Sequence, residues 1–174
     1  MDGIRGITIK INFKDIEIID GTKIKAGAGV LLSKLSNVAL ENSLTGIEFA
    51  CGIPGTLGGA IKMNAGAYGS EMKDILLSTT YLDENLELHT ISNEENEFSY
   101  RNSRFFKNKK DIIISAVLNL KNGNREDIEL KIKENRETRN KKQPIDMPSA
   151  GSAFKRENRI YSSSAYRQMW VKGV

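Results

Sequence analysis

Cysteine and histidine are almost absent: the 174 residues contain one of each, Cys51 and His89. A single cysteine excludes an internal disulfide and a cysteine-based zinc site, and a single histidine excludes a histidine-rich metal site. No uninterrupted apolar run approaches eighteen residues, so the sequence holds no transmembrane helix. The first residues, Met1 to Arg5, lack the basic and apolar regions of a signal peptide. Neither sign of charge dominates, with 26 Lys and Arg against 22 Asp and Glu, formally +4. Acidic residues are interleaved almost everywhere, which argues against nucleic acid as a partner and leaves room for a small anionic ligand. What is present is an apolar share of 39%, enough to exclude wholesale disorder. The length suits one domain, or one and a fraction. The expectation is a soluble, cytoplasmic, globular protein.

Patterning then suggests the elements. Ile7, Ile9, Ile11 and Phe13 alternate with polar residues and predict a first strand. Ile16 to Ile19 predicts a second, ended by Asp20-Gly21, and Thr22 to Ala26 a third. Val30 to Asn42 reads as a helix with Leu31, Leu32, Leu35, Val38 and Ala39 on its apolar face. Ile75–Leu82 and Leu86–Ile91 read as a strand pair around Asp83-Glu84-Asn85. Ser92 and Glu95 have the spacing of a capping box. Asp111 to Leu120 predicts a strand, and Arg125 to Lys142 a charged helix with Ile128, Leu130 and Ile132 for packing. Pro144 and Pro148 end it. Few helices among many strands, in mixed order, indicate an α+β fold with a mixed, mainly antiparallel sheet.

Seven of the fifteen glycines fall between Gly46 and Gly69. Pro54-Gly55 suits a type II turn with a positive φ at Gly55, and Thr56 suits the cap of a short helix through Leu57, Ala60 and Ile61. Two readings stay open: a backbone cradle for a diphosphate, or a tightly packed structural turn. The pattern is neither a P-loop nor a G-x-G-x-x-G fingerprint. Tyr100-Arg101-Asn102-Ser103-Arg104 places two guanidinium groups just before a strand, either as a clamp on a carboxylate or phosphate or as solvated surface. Ser149 to Lys155 is a serine-containing turn with no histidine near it in sequence, which disfavours a Ser-His-Asp hydrolase, although a hydroxyl can still protonate an enolate. Arg136, Arg139, Lys141 and Lys142 suit a solvated helix end whose cations match the C-terminal dipole, with an anion contact as the lesser reading. Cys51 suits a small buried filler.

Together, Gly52-Ile53-Pro54-Gly55-Thr56-Leu57-Gly58-Gly59-Ala60, Met63-Asn64-Ala65-Gly66-Ala67-Tyr68-Gly69, Tyr100-Arg101-Asn102-Ser103 and Pro148 to Lys155 resemble, in order, motifs of the UDP-N-acetylenolpyruvoylglucosamine reductase family, also called UDP-N-acetylmuramate dehydrogenases. The resemblance implies FAD lying between two α+β subdomains of the vanillyl-alcohol-oxidase/PCMH-like type. It implies NADPH as co-substrate and reduction of UDP-N-acetylglucosamine enolpyruvate to UDP-N-acetylmuramate. By the same resemblance, backbone at Gly52, Ile53, Pro54, Gly55, Thr56, Gly58 and Gly59, with Asn64, Ala65 and Gly66, would line FAD. Arg101 would stabilise charge developing on the substrate carboxylate, Ser152 would donate the proton, and Lys142 and Tyr100 would contact substrate.

Measured against that family, the chain reads as a middle portion. Residues 1–142 would form most of the second FAD subdomain, and 143–174 the beginning of a substrate-binding domain. A further glycine-containing loop is expected before Met1 and a catalytic glutamate beyond Val174. Ile160 to Trp170 departs from the helix usual in the family. Apolar surface left without those segments is expected to lie uncovered.

Overall fold

A computed structural model describes residues 5–142. Residues 143–174, with the expected substrate-domain start, Ser152 and its flanking motif, lie outside the described residues, as does the Lys142 side chain. The elements run β1 (Ile16–Ile19), β2 (Lys23–Gly27), α1 (Leu32–Glu41), β3 (Leu44–Thr45), a 3-10 turn (Glu48–Ala50), α2 (Leu57–Lys62), β4 (Gly66–Ala67) and β5 (Ser70–Glu71). After a 3-10 turn (Met72–Asp74) come β6 (Leu76–Leu82), β7 (Leu88–Ser92), a 3-10 turn (Glu94–Asn96), α3 (Arg104–Lys107), β8 (Ile112–Asn119), β9 (Lys121–Asn122) and α4 (Arg125–Lys142).

Five strands form one sheet in the order β1-β2-β8-β6-β7, antiparallel at every pairing. This is the expected α+β architecture, with hairpin connections at β1-β2 and β6-β7. The Ser92–Glu95 capping box is present: the Ser92 N–H donates to the Glu95 carboxylate at 2.8 Å and the Glu95 N–H reaches the Ser92 hydroxyl at 3.5 Å.

Two irregularities set which side chains face the core. Between Leu76 and Ser78 the register of β6 on β8 shifts by one residue, and between Thr80 and Tyr81 it shifts again. The first leaves Leu77 as an extra residue on β6, the second leaves Ile114 extra on β8. An extra residue reverses the inside–outside alternation beyond it. Leu76 and Tyr81 are therefore both buried although five positions apart, and so are Ile113 and Ala116, three apart. The carbonyl of Ile114 accepts the Ala28 N–H at 2.8 Å, just past the end of β2.

The main core joins the sheet to α1 and α2 through Ile24, Leu32, Leu35, Leu57, Ile61 and Leu118. A small second cluster, Cys51, Ile128 and Ile132 with Leu40 against it, fastens α4 onto the helical side. No helix among the described residues is long and apolar enough to cross a membrane.

Three expectations are corrected. Residues 7–13 pair with no strand: Ile7 is 93% and Ile9 74% exposed, and Phe13 is exposed as well. The segment is held at its end by Phe13 O, which accepts the Gly29 N–H at 2.9 Å; alternation alone cannot make a strand without a partner edge. The first helix begins at Leu32 and not Val30, because Leu31 is drawn into a bridge with Thr56, which leaves its side chain exposed. Leu130 on α4 is 56% exposed, while Asn135 is buried; the inward stripe runs Ile128, Ile132, Asn135, at helical spacings of four and three.

Candidate functional site

The glycine segment is pinned along residues 28–32. Leu57 N–H donates to Val30 O at 2.8 Å, Gly58 N–H to Ala28 O at 2.9 Å, and Leu32 N–H to Gly55 O at 3.0 Å. Gly58 is required there: a Cβ on it would stand 2.9 Å from the Ala28 Cβ and 3.3 Å from the Ala28 carbonyl oxygen. Two donors expected to be free at the start of α2 are thus consumed by the fold. Gly59 N–H has no partner among the described residues, and the Thr56 hydroxyl, at the cap position, makes no capping bond.

The turn chemistry differs from expectation. Gly55 does not have a positive φ. The chain turns earlier, at Cys51-Gly52, closed by Ile53 N–H on Ala50 O at 3.1 Å. Residues 53–55 then run on to the bridge with Leu31. Pro54, Gly55 and Gly59 are exposed, and Ile53 packs partly against the main core. A Cβ on Gly55 would meet nothing within 4 Å, and one on Gly59 only the Thr56 hydroxyl at 3.7 Å. Bare backbone with open space above it, beside an uncommitted hydroxyl, suits the close approach of a ligand. The adjoining cavity, about 290 Å³, is lined by Thr56, Gly58, Gly59 and Lys62 together with Ile9 and Ile11. That volume fits part of a dinucleotide, not the whole.

At the other end of α2, Asn64 has φ 41° and is fully buried. Its amide donates to Ser99 O at 3.1 Å and its side-chain oxygen accepts the Lys73 N–H at 3.0 Å. Asn64 therefore spends its side chain on holding the loop. Ala65 extends the hold, donating its N–H to Ala60 O at 2.8 Å. The Arg101 guanidinium crosses to this loop and donates to Asn64 O at 3.2 Å and Gly66 O at 2.7 Å. It lies 5.3 Å from the centre of the Tyr100 ring, and its own backbone is left-handed, φ 52°. Ser103 Oγ donates to Lys62 O at 2.8 Å, satisfying a carbonyl at the end of α2.

The two arginines do not form one clamp. Arg104 turns away to the Tyr81 hydroxyl at 3.2 Å and lies 3.8 Å from Asp111. The short α3 also separates this motif from the strand expected directly after it. His89 is on β7, stacked on Tyr81 at 5.3 Å and 3.1 Å from Asp83, and the same Tyr81 also engages Arg104. Cys51 is buried, as a filler should be. Burial pushes its thiol up from the ordinary value, and the nearby Arg136 opposes that push.

Sequence reasoning missed Ala28, Ser99 and Ser103, whose backbone or hydroxyl groups fix the two loops. Small residues in the run Gly27-Ala28-Gly29 were the available signal for the first. It also placed Arg139 on solvated helix surface, whereas its Cδ packs 3.1 Å from the Cβ position of Gly52.

The site residues that the structure describes therefore gather at the two ends of one short helix, the glycine segment at its start and the Asn64–Gly66 loop, tied to Arg101, at its end. Comparison with known proteins gives the family. A family model described as "FAD binding domain" matches residues 2–92, more than half of the chain. The UDP-N-acetylenolpyruvoylglucosamine reductase of Caldanaerobacter subterraneus is 50% identical over 98% of this chain and 56% of its own length. That of Clostridium tetani is 44% identical over 99% of this chain, again 56% of its own length. The crystal structure of the Thermus caldophilus reductase superimposes with a TM-score of 0.76 at 34% identity, covering 86% of this chain and 55% of that one. The chain thus spans a little over half the length of the curated relatives it matches. By the match over its first half, and by a fold whose glycine segment leaves backbone open to a ligand, the chain belongs to the FAD binding domain family.

Proposed function

We propose that this chain is the central, FAD-holding part of a UDP-N-acetylenolpyruvoylglucosamine reductase, working in the cytoplasm on peptidoglycan precursors. The observation that carries the reading is the pairing of the open Gly55–Gly59 backbone with an Asn64–Gly66 loop held by Arg101, in a chain half identical to one such enzyme. Thr56 and Gly59 would hold FAD through the hydroxyl and the N–H that the fold leaves uncommitted, with Gly52 to Gly58, Ala65 and Gly66 lining it. When bound, FAD supplies the hydride chemistry, with NADPH as its source and UDP-N-acetylglucosamine enolpyruvate as its destination.

This chain's residues do the remaining work. Arg101 spends two N–H groups on loop carbonyls, and a guanidinium has five. The others are available to the substrate carboxylate, where a fixed positive charge offsets negative charge as it develops. Ser152 Oγ gives its proton to the substrate enolate carbon, a task its high pKa permits. Lys142 and Tyr100 contact the substrate, and residues 143–174 begin the domain that covers it.

Two measurements test the reading. The purified chain should take up FAD and turn yellow; a chain that stays colourless after incubation with FAD overturns it. In the longer protein carrying this chain, Ser152→Ala should leave flavin reduction by NADPH intact and stop reoxidation by the enolpyruvyl substrate. Normal reoxidation would refute the serine's role.

A further inference from the structure

Helix α4 meets the glycine turn through a ladder of contacts on one stripe. Ile132 O lies 3.8 Å from Cys51 Sγ. One step on, Asn135 Nδ2 donates to Glu48 O at 3.2 Å, and Asn135 O accepts the Tyr68 hydroxyl at 2.7 Å. Four residues further, the next rung is Arg139. Its Cδ lies 3.1 Å from the Cβ position of Gly52, and Nε and Nη1 lie 3.9 Å from the same point. Gly52 therefore makes room for an arginine stem, and the guanidinium lies beside Gly52, the residue just before Ile53.

Arg139 as a residue is half-buried, and its guanidinium has no carboxylate partner among the described residues. The other half-buried arginines are committed, Arg101 to loop carbonyls and Arg104 to Tyr81. An arginine held in place by a helix with three other anchors, and left without an anion, is preorganised for one supplied by a ligand. Oxidised FAD is neutral in its ring system near pH 7, so its diphosphate is its anionic group.

We propose that Arg139 is a further cofactor-binding residue: its stem fixes the Gly52 turn and its guanidinium pairs with the FAD diphosphate. The proposal rests on the FAD reading above and adds a residue to it.

The test is the affinity of the purified chain for oxidised FAD, read by fluorescence quenching, in wild type, Arg139→Met and Arg139→Lys. Methionine keeps much of the stem and removes the charge. Arg139→Met should bind FAD at least tenfold more weakly, and Arg139→Lys should recover most of the loss. The wild-type advantage should shrink as salt rises from low to high ionic strength. Equal urea midpoints for the three proteins would show that folding is unchanged. If Arg139→Met binds FAD as wild type does, or if lysine recovers nothing and salt has no effect, the assignment is overturned. If wild type binds no FAD, the function proposed above falls, and this inference falls with it.

Discussion

Arg101 holds Gly66: its Nη2 donates to the Gly66 carbonyl oxygen at 2.7 Å, 35 residues away in sequence. With the bond to Asn64 O, one side chain fastens the loop that ends α2. Charged donors on backbone carbonyls contribute about 1.5–3 kcal/mol each where partly buried. Arg101→Ala is therefore expected to destabilise the chain by about 2–4 kcal/mol in urea titration and to loosen FAD binding. Arg101→Gly relaxes the left-handed backbone but also lacks the guanidinium, so it should recover only part of the stability and none of the FAD affinity.

Gly58 and Ala28 form a fitted pair. Gly58→Ala would bring two Cβ atoms to 2.9 Å, an overpacking expected to cost about 1–3 kcal/mol. Because Gly58 N–H also bonds Ala28 O, the strain falls on the glycine segment, and FAD affinity should drop with stability. Adding Ala28→Gly removes the closest contact, leaving the carbonyl oxygen of residue 28 at 3.3 Å. The double variant should regain most of both losses, as a double-mutant cycle of urea midpoints and FAD titrations would report.

The two faces of α4 should respond differently. Ile132 is buried against Cys51 and Leu40, so Ile132→Ala is expected to cost about 2–4 kcal/mol. Leu130 faces solvent, and Leu130→Ala should stay within about 0.5 kcal/mol of wild type. A comparable cost for both in denaturant titration would contradict the observed orientation of the helix.

The hairpin between β6 and β7 carries a pH signature. The Glu87 N–H donated to Asp83 holds that carboxyl below the usual carboxylate range; desolvation opposes this, and His89 and the Asn85 N–H add to the lowering. A folded pKa below the unfolded one stabilises the protein above the unfolded value, and the contribution disappears as pH falls through the folded one. Asp83→Ala should therefore lower Tm at pH 7. The gap to wild type should close as pH drops below the ordinary aspartate range. A gap unchanged at low pH would refute the link to ionisation.

Much of the fold was legible because it is local. The β6-β7 hairpin, the Ser92–Glu95 box and the extent of α4 follow from turn residues, capping spacing and charge pattern. The failures turn on pairing with residues distant in sequence, which is present in some cases and missing in one. Ile7–Phe13 alternates as a strand should, but no edge pairs with it. Gly55 sits after proline as in a type II turn, yet Leu32 and Leu31 draw residues 55 and 56 into extended pairing. Arg101 and Arg104 are neighbours in sequence and diverge in space because one reaches the Asn64–Gly66 loop and the other Tyr81. At the site, the glycine motif left a ligand cradle and a packed turn both open, whereas the contacts by which Ala28, Ser103 and Arg139 support the loops became visible only in three dimensions.

The extra residue in β8 has a consequence beyond the sheet. Ile114 O is tied to Ala28 N–H, Ala28 O to Gly58 N–H, and Gly58 stands at the head of α2. The strand works as a ruler for the glycine segment. Deleting Ile114 would restore simple pairing with β6 and, by the same stroke, pull the mark against which residues 55–59 are placed. An irregularity within a central strand of the sheet thus sets the position of the backbone most open to a ligand.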